Sequence, residues 1–182
     1  MNTYPQMKPL ATPFPSNEVL GPLCRAIQQR MLERGLTLST AESCTGGGVA
    51  AALTAVSGAS GYFQGSLVAY QDRLKEQFLG VPAEVIRQYD VVSRPVVEQM
   101  VRGACALLDT HCALATTGYA GEGNGVIPSG TIWIGWGTAQ EVHSLCLSGN
   151  EGRSENTAHA VREVLNQFLQ WLDASAQDAA AG

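Results

Sequence analysis

Short apolar runs typical of buried strands alternate with longer segments of helical periodicity along most of this 182-residue chain. The strand-like runs cover residues 36–41, 66–70 and 112–118, and helical segments connect them. Two more runs, 131–137 and 142–147, are separated by four residues and predict a hairpin. Strands that alternate with helices and end in one hairpin predict an α/β protein, a three-layer α/β/α sandwich on a mixed sheet.

The boundaries of the helices follow from caps and breakers. Ser16 is a plausible N-cap for a first helix that reaches Arg34, with Val19 among its inward-facing residues and Gly35 as its stop. Further helix starts are expected at Thr45 or Gly46, after Tyr70, at Pro82, at Ser93 and at Arg153 or Ser154.

The two ends of the chain differ in composition from its body. Residues 1–15 carry three prolines without periodicity, and residues 173–182 are small and polar. Both are expected to be flexible tails around one folded domain at 16–172. With 45% hydrophobic residues, a chain of this length can build a sizeable core.

Charge and cysteine usage limit the function classes. Eleven basic residues against 16 acidic ones give a net charge of −5 without a basic stripe, which argues against a nucleic-acid partner. Five cysteines without a C-x-x-C pair indicate reduced thiols and a cytoplasmic protein. No signal peptide and no apolar run of 18 residues is visible, so no membrane association is expected. His111, His143 and His159 lack the spacing of a metal site.

The densest chemical signal is the segment TAESCTGGG at 40–48, where a strand ends and glycines open a helix. Such a junction can direct backbone N–H groups at a phosphate or an oxyanion. Ser43 or Thr45 could equally cap the helix, with the glycines serving tight packing. Cys44 is a possible nucleophile, but it is more typical of a small core residue.

The second signal is a lysine. The chain has only Lys8, in the expected tail, and Lys75, which follows the predicted strand that ends at Tyr70. A buried lysine can lose its proton, whereas arginine effectively cannot, so Lys75 could accept the proton of Ser43. The alternative is a solvated lysine on a helix surface.

A third patch follows the predicted strand at 112–118 and contains several glycines, TTGYAGEGNG at 116–125. It could be a loop over a pocket at the carboxyl edge of the sheet, where ligands of α/β proteins usually bind. A plain long turn is the competing interpretation. P-loop, dinucleotide-binding, G-x-S-x-G and S-x-x-K motifs are all absent.

These three patches, in this order, resemble the CinA C-terminal domain family over residues 16–172. The motifs that carry the resemblance are TAESCTGG (40–47), Y-F-x-G-x-x-V-x-Y-x-x-x-x-K (62–75), LGV (79–81), VS (92–93), T-G-x-A-G (117–121) and P-x-G-T-x-W-x-G (128–135). The resemblance implies a hydrolase of the carboxamide of nicotinamide mononucleotide, acting through an acyl-enzyme without a metal or other cofactor. It also implies a small pyridine nucleotide as ligand and a homo-oligomer.

The resemblance assigns roles residue by residue. Ser43 would be the nucleophile, Lys75 its base and Tyr70 a hydroxyl that assists proton transfer. The expected substrate-binding residues are Thr45, Gly46, Gly47, Thr117, Gly118, Gly121 and Arg153.

The chain departs from the family pattern at several loop positions. Gln71-Asp72 replaces Ser or Thr followed by Asn, Tyr119 and Glu122 replace Ile and Pro, and 150–153 reads NEGR where the family has GDR. A carboxylate at Asp72 or Glu122 would repel a phosphate-bearing substrate. Two alternatives therefore stay open: a non-catalytic relative that binds a nucleotide or a protein partner, and an amidohydrolase for another small amide.

Overall fold

Five strands form one mixed sheet in a computed structural model that describes residues 19–149 and 151–181. The strands are β1 (Leu38–Glu42), β2 (Phe63–Val68), β3 (Cys112–Tyr119), β4 (Thr131–Gly137) and β5 (Val142–Leu147). Their order across the sheet is β2-β1-β3-β4-β5. β1 runs parallel to β2 and β3, whereas β4 and β5 form an antiparallel hairpin beside β3. The predicted mixed sheet and hairpin are confirmed.

Helices cover both faces of this sheet. They are α1 (Gly21–Glu33), α2 (Gly48–Thr54), α3 (Asp72–Leu79), α4 (Ala83–Tyr89), α5 (Arg94–Leu108) and α6 (Arg153–Ala181), with a 3-10 turn at Ala59–Gly61. α1 and α2 pack with α6 on one face, and α3 and α4 pack with α5 on the other. Among the described helices, none combines the length and apolar character needed to span a membrane.

The alternation of side chains along β3 separates the two hydrophobic cores. Leu114 faces the core under α1, α2 and α6, together with Phe168 of α6. Ala113 and Ala115 face the core under α5, whose Met100 is fully buried there. Neighbouring side chains of a strand point to opposite faces, so a buried central strand must be apolar on both. The apolar run CALAT predicts a buried strand, and β3 is indeed buried from Cys112 to Thr117.

The first helix begins later than predicted. α1 starts at Gly21, with Pro22 in its first turn, and Val19 is exposed rather than inward. Proline disfavours the helical conformation in the residue before it and suits the first turn, so it marks the start more strongly than the serine does. Ser16 lies outside the described residues. The predicted stop is confirmed, because Gly35 adopts a left-handed φ of 62°.

Two other boundaries differ from the sequence prediction. α2 begins at Gly48 rather than at Thr45 or Gly46, because Gly46 and Gly47 have positive φ values of 60° and 98°. A helix cannot include such residues. At the other end, α6 continues beyond residue 172, and Asp173 on it accepts a 2.7 Å hydrogen bond from Nε of Arg30. The helix therefore extends into the segment expected to be a tail.

A glycine sets the distance between α3 and α5. A Cβ on Gly103 would lie 2.1 Å from the carbonyl oxygen of Leu79, which is backbone and cannot rotate away. We expect Gly103→Ala to lower the free energy of unfolding by about 1–3 kcal/mol, as overpacking does. Urea denaturation measures this.

Gly21→Ala is the matched control for this prediction. A Cβ on Gly21 would meet only the flexible guanidinium of Arg25, at 3.2 Å. We expect its stability to equal or slightly exceed that of the parent, because alanine favours helix over glycine. Equal stability of the two variants would show that α3 and α5 do not depend on the close contact.

Candidate active site

The parallel strands place three chemical groups at one edge of the sheet. Glu42, the last residue of β1, pairs with Val68 at the end of β2 and with Thr116 near the end of β3. The residues that follow, Ser43, Tyr70 and Thr117, therefore leave the sheet at the same carboxyl edge. α2 lies on one face and α3 to α5 on the other, so the chain diverges here and opens a crevice.

The carboxylate of Glu42 organises the turn between β1 and α2. It is fully buried, and its oxygens accept hydrogen bonds from the backbone N–H groups of Gly47, Val49 and Ala50 at 2.8–3.0 Å. The hydroxyl of Thr45 also donates to it, at 2.7 Å. A carboxylate at this position satisfies the free donors of the helix and complements its dipole.

This cap uses donors that the start of the helix was expected to offer to a substrate. The N–H of Gly47 is used by Glu42, and the N–H of Gly46 donates to the carbonyl of Ser43 at 3.1 Å. The hydroxyl of Thr45 is bonded to Glu42 and lies 2.7 Å from the hydroxyl of Thr116. Thr45, Gly46 and Gly47 shape the turn and do not line the cavity described below. The N-cap of α2 is Gly47, so neither Ser43 nor Thr45 caps the helix.

Ser43 is the first residue of this turn. Its backbone N–H donates to the carbonyl of Thr116 at 3.0 Å, which fixes it to β3. The side chain is 8% exposed, and its hydroxyl forms no hydrogen bond with any described residue. The backbone N–H groups of Cys44 and Thr45 likewise donate to no other described residue. The first residue of the turn thus carries a free hydroxyl.

Lys75 is buried on the inner side of α3. It shares that side with Leu79 one turn later and is only 1% exposed. Burial lowers the pKa of Lys75 below its ordinary value, although the nearby carboxylate of Asp72 raises it in part. Desolvation disfavours the ammonium form, so burial favours the neutral amine, which is the form that can accept a proton. The alternative of a solvated surface lysine is wrong.

Ser43 and Lys75 line the same cavity, whose volume is about 250 Å³. It opens at the carboxyl edge of the sheet and is also bounded by the last residues of β3 and the first residue of α6. The other lining residues are Cys44, Tyr70, Asp72, Val91, Val92, Thr117, Gly118, Tyr119, Gly121, Glu122 and Arg153. Four of the expected binding residues, namely Thr117, Gly118, Gly121 and Arg153, are therefore in the cavity wall.

Tyr70 occupies a different place from the one expected. The residue is 51% exposed, and its hydroxyl accepts a 2.6 Å hydrogen bond from Nη2 of Arg153. Among the described residues it has no hydrogen bond to Ser43 or Lys75. The structure brings Tyr70 to the cavity but pairs it with the guanidinium.

Contacts between β3, α6 and the segment before α5 hold another part of the cavity wall. The hydroxyl of Thr117 donates to the carbonyl of Val91 at 2.9 Å. The buried amide of Asn156 on α6 donates to the carbonyl of Ala120 at 2.9 Å, which fixes the helix that starts at Arg153. Gly121 lies next to the guanidinium of Arg153, because a Cβ built on it would be 3.4 Å from Nη1, an ordinary contact distance.

Sequence reasoning missed Asp90, which secures the glycine loop after β3. Its carboxylate accepts from the amide of Asn124 at 2.9 Å and from the backbone of Val92 at 2.8 Å. The hydroxyl of Tyr119 lies 3.4 Å from it, and burial together with this negative charge raises the pKa of that hydroxyl. Asp90 adopts a positive φ of 69°, a conformation that is uncommon for residues other than glycine and that the sequence alone does not predict at this position.

The thiol next to Ser43 is not activated. Cys44 is buried, and desolvation raises its pKa to about 11. A nucleophilic cysteine needs the opposite shift, because the thiolate is the reactive form. This favours the interpretation of Cys44 as a core residue. The part of the chain that the structure describes contains no cluster of His, Cys, Asp or Glu able to hold a metal ion.

Comparison with known proteins gives one family. Residues 21–172 match the CinA C-terminal domain. Among curated proteins, the nicotinamide-nucleotide amidohydrolase PncC of Escherichia coli K12 is 37% identical over 155 residues, which cover 81% of this chain and 94% of that protein. A CinA-like protein of Cytophaga hutchinsonii is 38% identical over 148 residues, 80% of this chain but 35% of that longer protein.

Solved structures of the same superfamily share the fold. A CinA superfamily protein of Escherichia coli aligns with a TM-score of 0.82 at 31% identity, covering 88% of this chain and 94% of that one. The competence/damage inducible protein CihA of Agrobacterium tumefaciens aligns with a TM-score of 0.81 at 33% identity, covering 89% and 99%. The predicted α/β/α architecture is thereby confirmed.

Removal of the Glu42 charge tests the construction of the turn. In Glu42→Gln, the side-chain NH₂ group would face backbone N–H donors, and we expect the free energy of unfolding to fall by about 2–4 kcal/mol. Glu76→Gln, on the exposed side of α3, is the matched control and should change it by less than about 0.5 kcal/mol. Equal midpoints of chemical denaturation for the two variants would contradict the capping role of Glu42.

Proposed function

We propose, on the premise that the chain belongs to the CinA C-terminal domain family, that it is an amidohydrolase acting on nicotinamide mononucleotide. The products would be nicotinic acid mononucleotide and ammonia. The observation that carries this proposal is the buried Lys75, which lines one cavity with the unbonded hydroxyl of Ser43. A nucleophile beside a desolvated base is the arrangement that amide cleavage requires.

In the first half of the reaction, the Ser43 oxygen attacks the carboxamide carbon while neutral Lys75 takes the hydroxyl proton. The carbonyl oxygen becomes negatively charged, and the backbone N–H of Cys44, a residue of the cavity wall, is the donor proposed to stabilise it. Lys75 then returns the proton to the leaving nitrogen. Ammonia departs, and the nicotinoyl group remains on Ser43 as an ester.

In the second half, water attacks this ester. Lys75 accepts a proton from the water, and the same N–H group stabilises the second tetrahedral intermediate. Collapse of that intermediate breaks the bond to the Ser43 oxygen, which takes the proton back from Lys75. The enzyme returns to its starting state without any other reactant.

Arg153 is the proposed partner of the substrate phosphate. A net charge of −5 gives no general attraction for an anion, so a local cation must supply it. The guanidinium lies at the cavity wall beside Gly121, and its hydrogen bond to Tyr70 fixes its position. Arginine can bind a phosphate through two parallel hydrogen bonds. Thr117, Gly118 and Gly121 would form the surface against which the nucleotide lies.

A second candidate is hydrolysis of a different small amide. Asp72 and Glu122 both line the cavity, and their charges oppose a phosphate there. A neutral or cationic amide would not meet this repulsion. Ammonia release from a panel of amides with and without a phosphate distinguishes the two substrates.

Removal of either member of the proposed pair should abolish turnover. We expect Ser43→Ala and Lys75→Met each to lower kcat by at least about a thousandfold, and the double variant to lose little more, because nucleophile and base act as a unit. Both should stay folded, since the Ser43 hydroxyl has no partner and Met is apolar and similar in size to the buried lysine. Ammonia release and the thermal midpoint are measured on the same samples.

Ser66→Ala, on the exposed side of β2, is the matched serine control and should retain parental kcat. Parental kcat in folded Ser43→Ala would exclude the serine mechanism. Absence of ammonia release by the parent with several pyridine nucleotides would instead favour a non-catalytic relative.

The phosphate contact predicts a different kinetic effect. Arg153→Ala should raise KM for nicotinamide mononucleotide by about 10- to 100-fold with a smaller effect on kcat, since a hydrogen bond to a charged group contributes about 1.5–3 kcal/mol. Arg162→Ala, which removes an exposed arginine of the same helix, should leave KM unchanged. An unchanged KM in Arg153→Ala would place the phosphate elsewhere.

A further inference from the structure

Lys75 and Asp72 form an ion pair in the cavity, and Asp72 has no role in the proposed reaction. Nζ of Lys75 lies 3.3 Å from Oδ1 of Asp72, three residues earlier on α3. Lys75 is 1% exposed, whereas Asp72 is 53% exposed at the first residue of the helix. The ammonium is thus enclosed on the protein side and contacts a carboxylate that faces the cavity.

We propose that Asp72 is the positioning residue for Lys75, holding its ammonium and thereby setting the pH above which the lysine can act as a base. This inference rests on the proposed function for its catalytic part. Asp72 touches neither substrate nor reacting atoms in this role and acts only through Lys75.

The charges around Lys75 single out this contact. Asp72 is the only described residue that forms a hydrogen bond or an ion pair with Nζ. The thiol of Cys44 faces it from the turn after β1 and has a high pKa of about 11. The other titratable or charged groups in the cavity wall come from the end of β2, the end of β3, the loop after β3 and α6: Tyr70, Tyr119, Glu122 and Arg153.

The direction of the effect follows from the two forces on Lys75. Burial lowers its pKa and is the largest effect, whereas the charge of Asp72, the hydrogen bond to Asp72 and, least of the three, Cys44 raise that pKa. A negative charge beside the ammonium favours the protonated form. Its removal should therefore release the proton at lower pH, so that a variant that loses the charge but still holds Nζ is more active than the parent on the acid side.

Asp72→Asn separates charge from position. Asparagine keeps an oxygen at the same place as hydrogen-bond acceptor but carries no charge. In this variant the acid limb of the kcat–pH profile should move to lower pH, so that the ratio of variant to parent kcat exceeds 1 there. Asp72→Ala removes the acceptor as well. In this variant we also expect a lower kcat at the high-pH plateau of the profile, because Nζ is no longer held.

Glu84→Gln provides the matched control. Glu84 forms an ion pair with Arg87 at the same three-residue spacing, on the exposed α4, and does not line the cavity. The control changes the net charge by the same amount and should leave the kcat–pH profile unchanged. An equal shift in both variants would mean that overall charge, and not the contact with Lys75, is responsible.

A direct titration of Lys75 makes the test independent of catalysis. The chain has two lysines, Lys8 and Lys75, so a sample labelled with 13C at lysine Cε gives two NMR signals, which Lys8→Arg assigns. The midpoint of the Lys75 signal should move to lower pH in Asp72→Asn and stay in place in Glu84→Gln. An unchanged or higher midpoint in Asp72→Asn would overturn the inference.

The two measurements distinguish failure of the inference from failure of the proposed function. A lower NMR midpoint with a parallel shift of the kcat–pH profile supports both. A lower NMR midpoint in Asp72→Asn can also occur with an unchanged kcat–pH profile, or with a parent that has no amidase activity. In either case Asp72 holds Lys75, but Lys75 is not the base of the proposed reaction.

Discussion

The buried carboxylate of Glu42 is the interaction on which the site depends. It joins the end of the central strand β1 to the first turn of α2 through three backbone N–H groups. The turn from Ser43 to Gly47 is thereby fixed at both ends, with Ser43 also bonded to β3. A hydroxyl with no partner of its own is held in place by its neighbours, which is the preorganisation that the proposed role of Ser43 requires.

Burial of Lys75 is the second constraint, and it connects packing to chemistry. The lysine occupies an inward position of α3, one turn before Leu79, whose carbonyl contacts Gly103 of α5. The same close packing that stabilises this layer removes water from the ammonium and lowers the pKa of Lys75. A charged group in such a place costs stability, and groups of this kind concentrate at functional sites.

The strands and the hairpin followed from the sequence, because alternation and turn residues are local signals. Ser43 and the isolated Lys75, singled out by their local sequence, line one cavity, and their roles as nucleophile and base stay predictions. The role of the glycine run did not. Its positive φ values and the return of Glu42 onto the helix are properties of the folded turn, so a pattern typical of anion binding proved to be internally satisfied. Asp90 and the pairing of Tyr70 with Arg153 depend on residues distant in sequence, and no local pattern encodes them. The domain limits, cytoplasmic location and oligomeric state stay predictions.

The central claim is that cleavage proceeds through an ester on Ser43 and not by direct attack of water. Hydroxylamine competition during turnover of nicotinamide mononucleotide tests this, since an acyl-enzyme can be intercepted by a second nucleophile. The account predicts that the hydroxamate of the nucleotide forms in proportion to added hydroxylamine, that nicotinic acid mononucleotide falls by the same amount, and that their sum equals the ammonia released. Nicotinic acid mononucleotide as the sole product at every hydroxylamine concentration would contradict it.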